Sequence, residues 1–275
     1  MSLRINSNIA SLSAQRYLAK NARDATESFK ALSSGSRLSS PQNDAAGFAI
    51  SELLRSQVSG TKQAKKNSET AVALVQTAEG ALNEQNNILV RLRELAVNAA
   101  SDTIGDDERG FLNSEFEQLV SEFDRIAKSS RFGTKELLSG SGEEFSFQVG
   151  ANKGPENIIE FKLDADTQAS TIGIDGLSVD SQDSAEDALE TIDEAVIKVA
   201  GVRSTLGAVQ SRFNYAIDNL AVQRENLENS RSIIADTDVA EEVSKLARAQ
   251  VLQESGMAVL AQANGYSRNI LKLID

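Results

Sequence analysis

The sequence predicts a mainly α-helical fold: an elongated coiled-coil bundle made from N- and C-terminal segments, with a small β-hairpin region at one end. Three observations carry that expectation. Apolar residues recur at alternating spacings of three and four along most of the 275 residues. Two prolines, Pro41 and Pro155, are all that occur. Aromatic residues make up 5% of the chain, too few for the core of a compact globule of this length.

The elements follow in order. Ile5, Ile9 and Leu12 open an apolar stripe that resumes through Leu18, Ala22, Ala25, Phe29 and Leu32, which predicts a first helix. Met1 to Ser40 holds six Arg or Lys against Asp24 and Glu27 and is rich in Ser, the composition of a transit peptide. A removable leader, however, leaves unexplained the matching stripe at the other end of the chain. "SSGSRLSSPQND" reads as a linker, with Gly35 and Gly47 flanking a turn or close backbone approach and Pro41 ending the first helix. Ala71, Val75, Ala78, Leu82, Leu89, Leu92, Ala96 and Ala99 then keep one heptad register, with polar Gln85 where the pattern calls for an apolar residue.

"SDTIGDDERG" breaks that helix, with Gly105 loosening the chain and Asp106 expected to cap the next one. Leu112, Phe116, Leu119, Phe123 and Ile126 restart the rhythm, and so short a connection folds the second helix back on the first. The pattern lapses from Ser129 to Gly142. Phe145, Phe147 and Val149, then Ile159, Phe161 and Leu163, alternate with polar neighbours around "GANKGPEN", which predicts a hairpin over about 144–164. "DADTQASTIGIDGLSVDSQDS" reads as a surface segment, ended by Ser184 as a cap with Asp187 three residues on.

Val199, Val202, Leu206, Val209, Phe213, Ala216 and Leu220, continued by Leu227 and Ile234, mark a helix of some 50 residues, about 75 Å long. Last comes "VLQESGMAVLAQANGYSRNILKLID", where Leu252, Val259, Ala263, Tyr266, Ile270 and Leu273 keep one face apolar to the final turn. The two terminal stripes are narrow and rich in Ala and Ser. Pairing them alone buries little against a backbone entropy of roughly 1–2 kcal/mol per residue, so both ends are expected to order fully only when neighbouring subunits cover them.

Composition removes most chemistry. Forty acidic residues oppose 28 basic ones, for a formal charge of -12, and there is no Cys, His or Trp. A His-based triad, a thiolate nucleophile and the usual zinc site are therefore excluded, and no disulfide holds the fold. The acids are scattered along polar helical faces rather than paired for hydrolysis. No concentrated basic surface suits nucleic acid, and no apolar run is long enough for membrane insertion. The expectation is a protein that is not an enzyme, needs no cofactor, and works through its surfaces.

One series of motifs is specific. "ALSSGSRLSSPQNDAAGFAISELLRSQV" is followed by "QTAEGAL", "RLRELAVNA", "FQVGAN", "LGAVQSRF", "ENLENSRS", "DTDVAEE" and "AVLAQAN". In content and order these resemble bacterial flagellin, from about residue 3 to 275, with the weakest match between Ser139 and Ser184. The resemblance implies an extracellular subunit of the flagellar filament, exported through the flagellar type III apparatus for swimming motility. It implies an inner tube of residues 1–43 with 232–275, an outer-tube bundle over 44–231, and no large outer domain. The implied partners are further copies of the chain in a helical homopolymer, an export chaperone covering about Ile234 to Asp275, and the filament cap and hook-associated proteins.

Subunit contacts are expected at Ile5, Ile9, Leu12, Leu18, Phe29, Leu32, Arg91, Leu95, Val259, Ile270, Leu273 and Ile274, with Gly35, Pro41 and Gly47 in the linker. On α-helical geometry Arg91, Glu94, Leu95 and Asn98 turn partly away from the seam, which predicts a partly exposed Leu95. Arg91, Leu95 and Glu115 match the family positions read by the flagellin-sensing Toll-like receptor of vertebrate hosts, while Asn98 is shorter than the usual Gln. The chain departs from the family pattern at Ile233, where Arg is common, at Gly265 and Tyr266, and after Phe132, where the usual Asn is absent. Two other readings remain: a hook–filament junction protein, which shares paired terminal helices, and an unrelated coiled-coil scaffold, which explains the heptads but not the hairpin or the recurrent glycines.

Overall fold

The computed structural model describes residues 7–42, 44–140, 142, 144–163 and 165–271, the last six by backbone alone. The chain divides into two compact units, one of Gln57–Glu225 and one of Met1–Ser56 with Asn226–Asp275. Six helices and four short strands are defined among the described residues, so the mainly helical expectation holds.

In the Gln57–Glu225 unit the core lies between α2 (Ala45–Ala99), α3 (Asp106–Ser129) and α5 (Gln182–Ala235). Every apolar heptad residue expected on α2, from Ala71 to Ala99, is fully buried. Gln85 stays inside the seam, where its amide NH2 donates to the carbonyls of Phe123 and Thr167 at 3.2 and 3.3 Å. Phe116, Phe123 and Ala127 of α3 face the same core, as do Ile192, Val199, Leu206 and Phe213 of α5.

Leu95 corrects the sequence expectation: it is 3% exposed and belongs to the core. A strict heptad assumes a single neighbouring helix. In a core shared with α3 and α5, α2 buries a wider stripe, and Leu95 falls within it beside Leu92 and Ala96.

The turn between α2 and α3 also differs from expectation. Asp106 is the first residue of α3 and Gly105 holds the cap position, its N–H donating to the Glu108 carboxylate at 3.1 Å. Arg109 closes the turn from inside. Its Nε donates to the carbonyl of Ala99 at 2.9 Å and its Nη2 to that of Ser101 at 3.1 Å, so one guanidinium satisfies carbonyls at the end of α2.

Two small antiparallel sheets follow. The lapse after Ser129 contains a hairpin of β1 (Arg131–Phe132) and β2 (Lys135–Glu136) that periodicity did not reveal. The expected hairpin pairs β3 (Glu144–Gln148) with β4 (Ile158–Lys162), setting Phe145 opposite Phe161 and Phe147 opposite Ile159. Phe145, Phe147 and Phe161 stack with one another, and Phe213 of α5 meets Phe147 edge-on at 5.6 Å.

The segment expected at the surface is half core. It forms α4 (Ala169–Ile172) and buries Ala165, Ile172, Ile174 and Val179, because its few apolar residues turn inward together while the Asp, Ser and Gly between them stay outside. The cap of α5 is Ser181 rather than Ser184. The two serines bond reciprocally, Ser184 N–H to Ser181 Oγ at 3.2 Å and Ser181 N–H to Ser184 Oγ at 3.1 Å. The other unit is built on α1 (Ile9–Ser34) and α6 (Val239–Leu271).

Candidate assembly surfaces

α1 and α6 pair antiparallel. Asn8 caps α1 by accepting from Ser11 N–H at 3.0 Å, and its own NH2 donates to the carbonyl of Ala263 at 2.9 Å. Ser11 Oγ donates to Asn264 Oδ1 at 2.8 Å. The seam on α1 is Ser11, Ala14, Leu18, Asn21, Ala25, Ser28 and Leu32, in strict three–four alternation, all buried or half-buried. On α6 it is Glu242, Leu246, Ala249, Gln253, Gly256, Leu260 and Ala263, in the same alternation. Leu18 seats over Gly256. Towards the other end, Glu242 accepts from Ser28 and Lys245; the Ser28 bond is the larger cause that holds its carboxyl below the usual value.

This seam is made largely of small or polar residues. The large apolar side chains point elsewhere: Ile9, Leu12, Tyr17 and Phe29 of α1 are exposed, and so are Val243, Val251, Leu252, Met257 and Val259 of α6. Phe29 is 64% exposed. Leu18 and Leu32, grouped with Ile9 and Leu12 on sequence grounds, instead serve the pairing within the chain. Ile5, Leu273 and Ile274 lie outside the described residues, and Ile270 is described by backbone alone.

Beside this pair, two connectors are joined. Gly35 ends α1 in the left-handed conformation at φ 69°, which favours glycine. Ser36 then pairs with Asp236 as an antiparallel bridge between α5 and α6. Arg37 N–H donates to the Ala235 carbonyl at 2.8 Å, Thr237 N–H to the Gly35 carbonyl at 3.0 Å, and the Arg37 guanidinium to the Ile234 carbonyl at 2.8 Å. Leu38 and Ala235 are buried there. Ile233, at the position where the pattern favours Arg, is exposed.

Pro41 sits exposed in the turn that follows. Asp44 caps α2 by accepting from Gly47 N–H at 2.9 Å, and Gly47 is buried so close to it that a Cβ would lie 2.4 Å from the carboxylate. Asp238 caps α6 through the N–H groups of Ala240 and Glu241.

In the other unit, Arg91 and Glu115 meet as expected. Nε and Nη2 of Arg91 donate to Glu115 Oε1 at 3.0 and 2.8 Å, and Nη1 donates to Glu94 at 3.0 Å. These bonds, Glu115 first, raise the Arg91 pKa above its ordinary value. Arg93 binds Asp193 of α5 at 2.8 Å and holds that carboxyl below the usual range. Leu95 lies beneath this polar surface rather than in it. Arg109, Asn8, and the clasp of Ser36 and Arg37 carry no periodic signal and were not singled out from the sequence.

Among the described residues no group of three or more Asp or Glu could hold a metal ion, and no helix is long and apolar enough to cross a membrane. The geometry offers helix faces and a joint in place of a reaction centre.

The model of the bacterial flagellin N-terminal helical region matches residues 5–143, and that of the C-terminal helical region matches residues 189–274. The chain belongs to the bacterial flagellin family. Flagellin of Halalkalibacterium halodurans is 38% identical over 271 residues, covering 98% of this chain and 99% of that one. Bacillus subtilis (strain 168) flagellin is 36% identical over 303 residues, covering 99% and 100%. The flagellar filament 30.7 kDa core protein of Treponema maltophilum is 36% identical over 283 residues, covering 98% and 99%.

Among solved structures, Bacillus cereus flagellin aligns with a TM-score of 0.50 at 25% identity, over 56% of this chain and 88% of that one. A Vibrio parahaemolyticus structure described as flagellar hook-associated aligns with a TM-score of 0.60 over 70% of this chain and 99% of that one; at 13% identity the likeness is one of fold. This flagellin is a structural subunit of the flagellar filament. Between its two matched regions the described residues form β3, β4, α4 and the start of α5, in place of a large outer domain.

Proposed function

We propose that this flagellin is exported to the cell exterior and polymerises into the filament through its terminal helices. Residues 1–43 and 232–275 build the inner tube, and 44–231 the outer one. What carries this reading is the mismatch on the α1–α6 pair, with small residues in its seam and large apolar side chains outside. Burying Ile9, Leu12, Phe29, Val251, Leu252, Met257 and Val259 against neighbours contributes on the order of 10 kcal/mol per subunit, far more than such a seam offers the isolated chain. One patch meeting a different patch on the next copy repeats without closing, which is how an open helical filament grows. Ile5, Ile270, Leu273 and Ile274 extend the same stripes.

The same exposed faces are a liability before assembly. An export chaperone covering about Ile234 to Asp275 answers it, and cap and hook-associated proteins meet the ends of the polymer. The exposed Arg91–Glu115 pair is the polar surface offered to a neighbouring subunit and, on monomers, to the vertebrate Toll-like receptor, with Leu95 supporting it from below. A chain without His or Cys that works through such faces is not an enzyme.

Deleting "NILKLID", residues 269–275, tests the reading. Polymerisation, followed by sedimentation and electron microscopy, is expected to be lost while circular dichroism stays helical. Normal filaments from the truncated chain would refute it.

A further inference from the structure

α5 has a second face. Its core residues Val199, Leu206, Val209 and Phe213 occupy one side of the helix, and Ile197, Gly201, Ser204, Ala208, Ser211 and Tyr215 occupy the opposite side, again in four–three alternation. All six are exposed, Ile197 by 72% and Tyr215 by 77%, and Val222 continues the row. None of these seven residues is charged, in a chain that is 25% charged. A helix with apolar faces on both sides belongs between two partners, and this chain supplies only the inner one.

α3 carries a matching shape. Phe111 stands out from it, 77% exposed, with Ser114 on the same face and Asp107 and Glu115 at its borders. The Gly201, Ser204, Ala208 and Ser211 row of α5 is a shallow trough in which a ring seats as a knob in a hole. Arg212 borders the trough, opposite in sign to Asp107 and Glu115. Both faces are exposed in the same chain, so a second copy has to bring them together.

We propose that the outer face of α5 is an assembly surface that receives Phe111 of a second copy of this flagellin. The proposal rests on the filament reading and adds to it a heterologous contact distant in sequence from the terminal helices. Unlike faces meeting in this way propagate from copy to copy.

The chain has no Cys, so introduced thiols are the only ones present. Filaments of the Ser204→Cys, Ser114→Cys double variant, treated with a short bis-maleimide, are expected to yield a ladder of covalent multimers, and each single variant only monomer. Intact filaments that give no ladder, or a single variant that cross-links to itself, overturn the α5 contact and leave the filament reading standing. Failure of the unaltered chain to form filaments overturns both. Independently, Ala208→Glu, which places a carboxylate against Asp107 and Glu115, is expected to raise the critical concentration for assembly at least about tenfold with the monomer's circular dichroism unchanged. Assembly at the unaltered concentration would refute the contact.

Discussion

Replacing Arg109 with alanine should weaken the Gln57–Glu225 unit by about 2–4 kcal/mol. The guanidinium makes two bonds to backbone carbonyls, those of Ala99 and Ser101, at 2.9 and 3.1 Å. Bonds from a charged donor contribute about 1.5–3 kcal/mol each, and freeing the side chain returns roughly 2 kcal/mol of rotamer entropy, leaving about 1–4 kcal/mol. Ala99 is fully buried, and leaving its carbonyl without this donor places the cost in the upper part of that range. The third bond, to Asp106, adds little because that side chain is 95% exposed. Urea unfolding followed by far-UV circular dichroism reports the change as a lower midpoint at unaltered slope. Arg109→Lys keeps the charge but not the fork and should recover less than half of the loss. The reasoning fails if Arg109→Ala lies within about 0.5 kcal/mol of the unaltered chain, or if Asp106→Ala is equally costly.

Leu95→Ala removes a core side chain and should cost about 2–5 kcal/mol, so any loss of assembly or receptor signalling would follow from a loosened bundle. Arg91→Ala should lower receptor-reporter signalling without moving the unfolding midpoint, and equal midpoints for Leu95→Ala and the unaltered chain would sink the distinction. The Glu242 carboxyl is held below its ordinary value of 4.5 in the folded chain, so it contributes stability above that pH which is lost as pH falls through the folded value. Hydrogen exchange in α6 should accelerate on acidification below about pH 4.5, and Glu242→Gln should remove that component of the pH dependence. Gly35→Ala forces a side chain into the left-handed region and should cost about 1–2 kcal/mol, read from thermal melting; an unchanged melt would mean that the turn relaxes freely.

Legibility in the sequence varied with what each helix buries. On α2 the heptad from Ala71 to Ala99 marked the core directly, because the residues that pack inward there are also the apolar ones. On α1 the two properties part company. Ser11, Ala14 and Ser28 make the seam while Ile9, Leu12 and Phe29 are left outside, so hydrophobicity found the free face and passed over the paired one. Leu95 was misplaced because heptad geometry counts one neighbour where α2 has two. Ala165, Ile172 and Ile174 were hidden by the polar residues around them. Arg109 could not be found by periodicity, since its role depends on where α2 ends and not on any spacing along α3.

The clasp between Gly35–Arg37 and Ile234–Thr237 has a mechanical consequence. The chain crosses between helices twice at this place, once leaving α1 and once entering α6, and backbone hydrogen bonds tie the crossings side by side. A pull on either strand alone is therefore handed to the other before the turn can stretch. Two thin connectors bear load as one thicker strut. In a fibre rotated from its base, torque passing through each subunit would be shared between the outgoing and returning chain, and neither crossing would yield first.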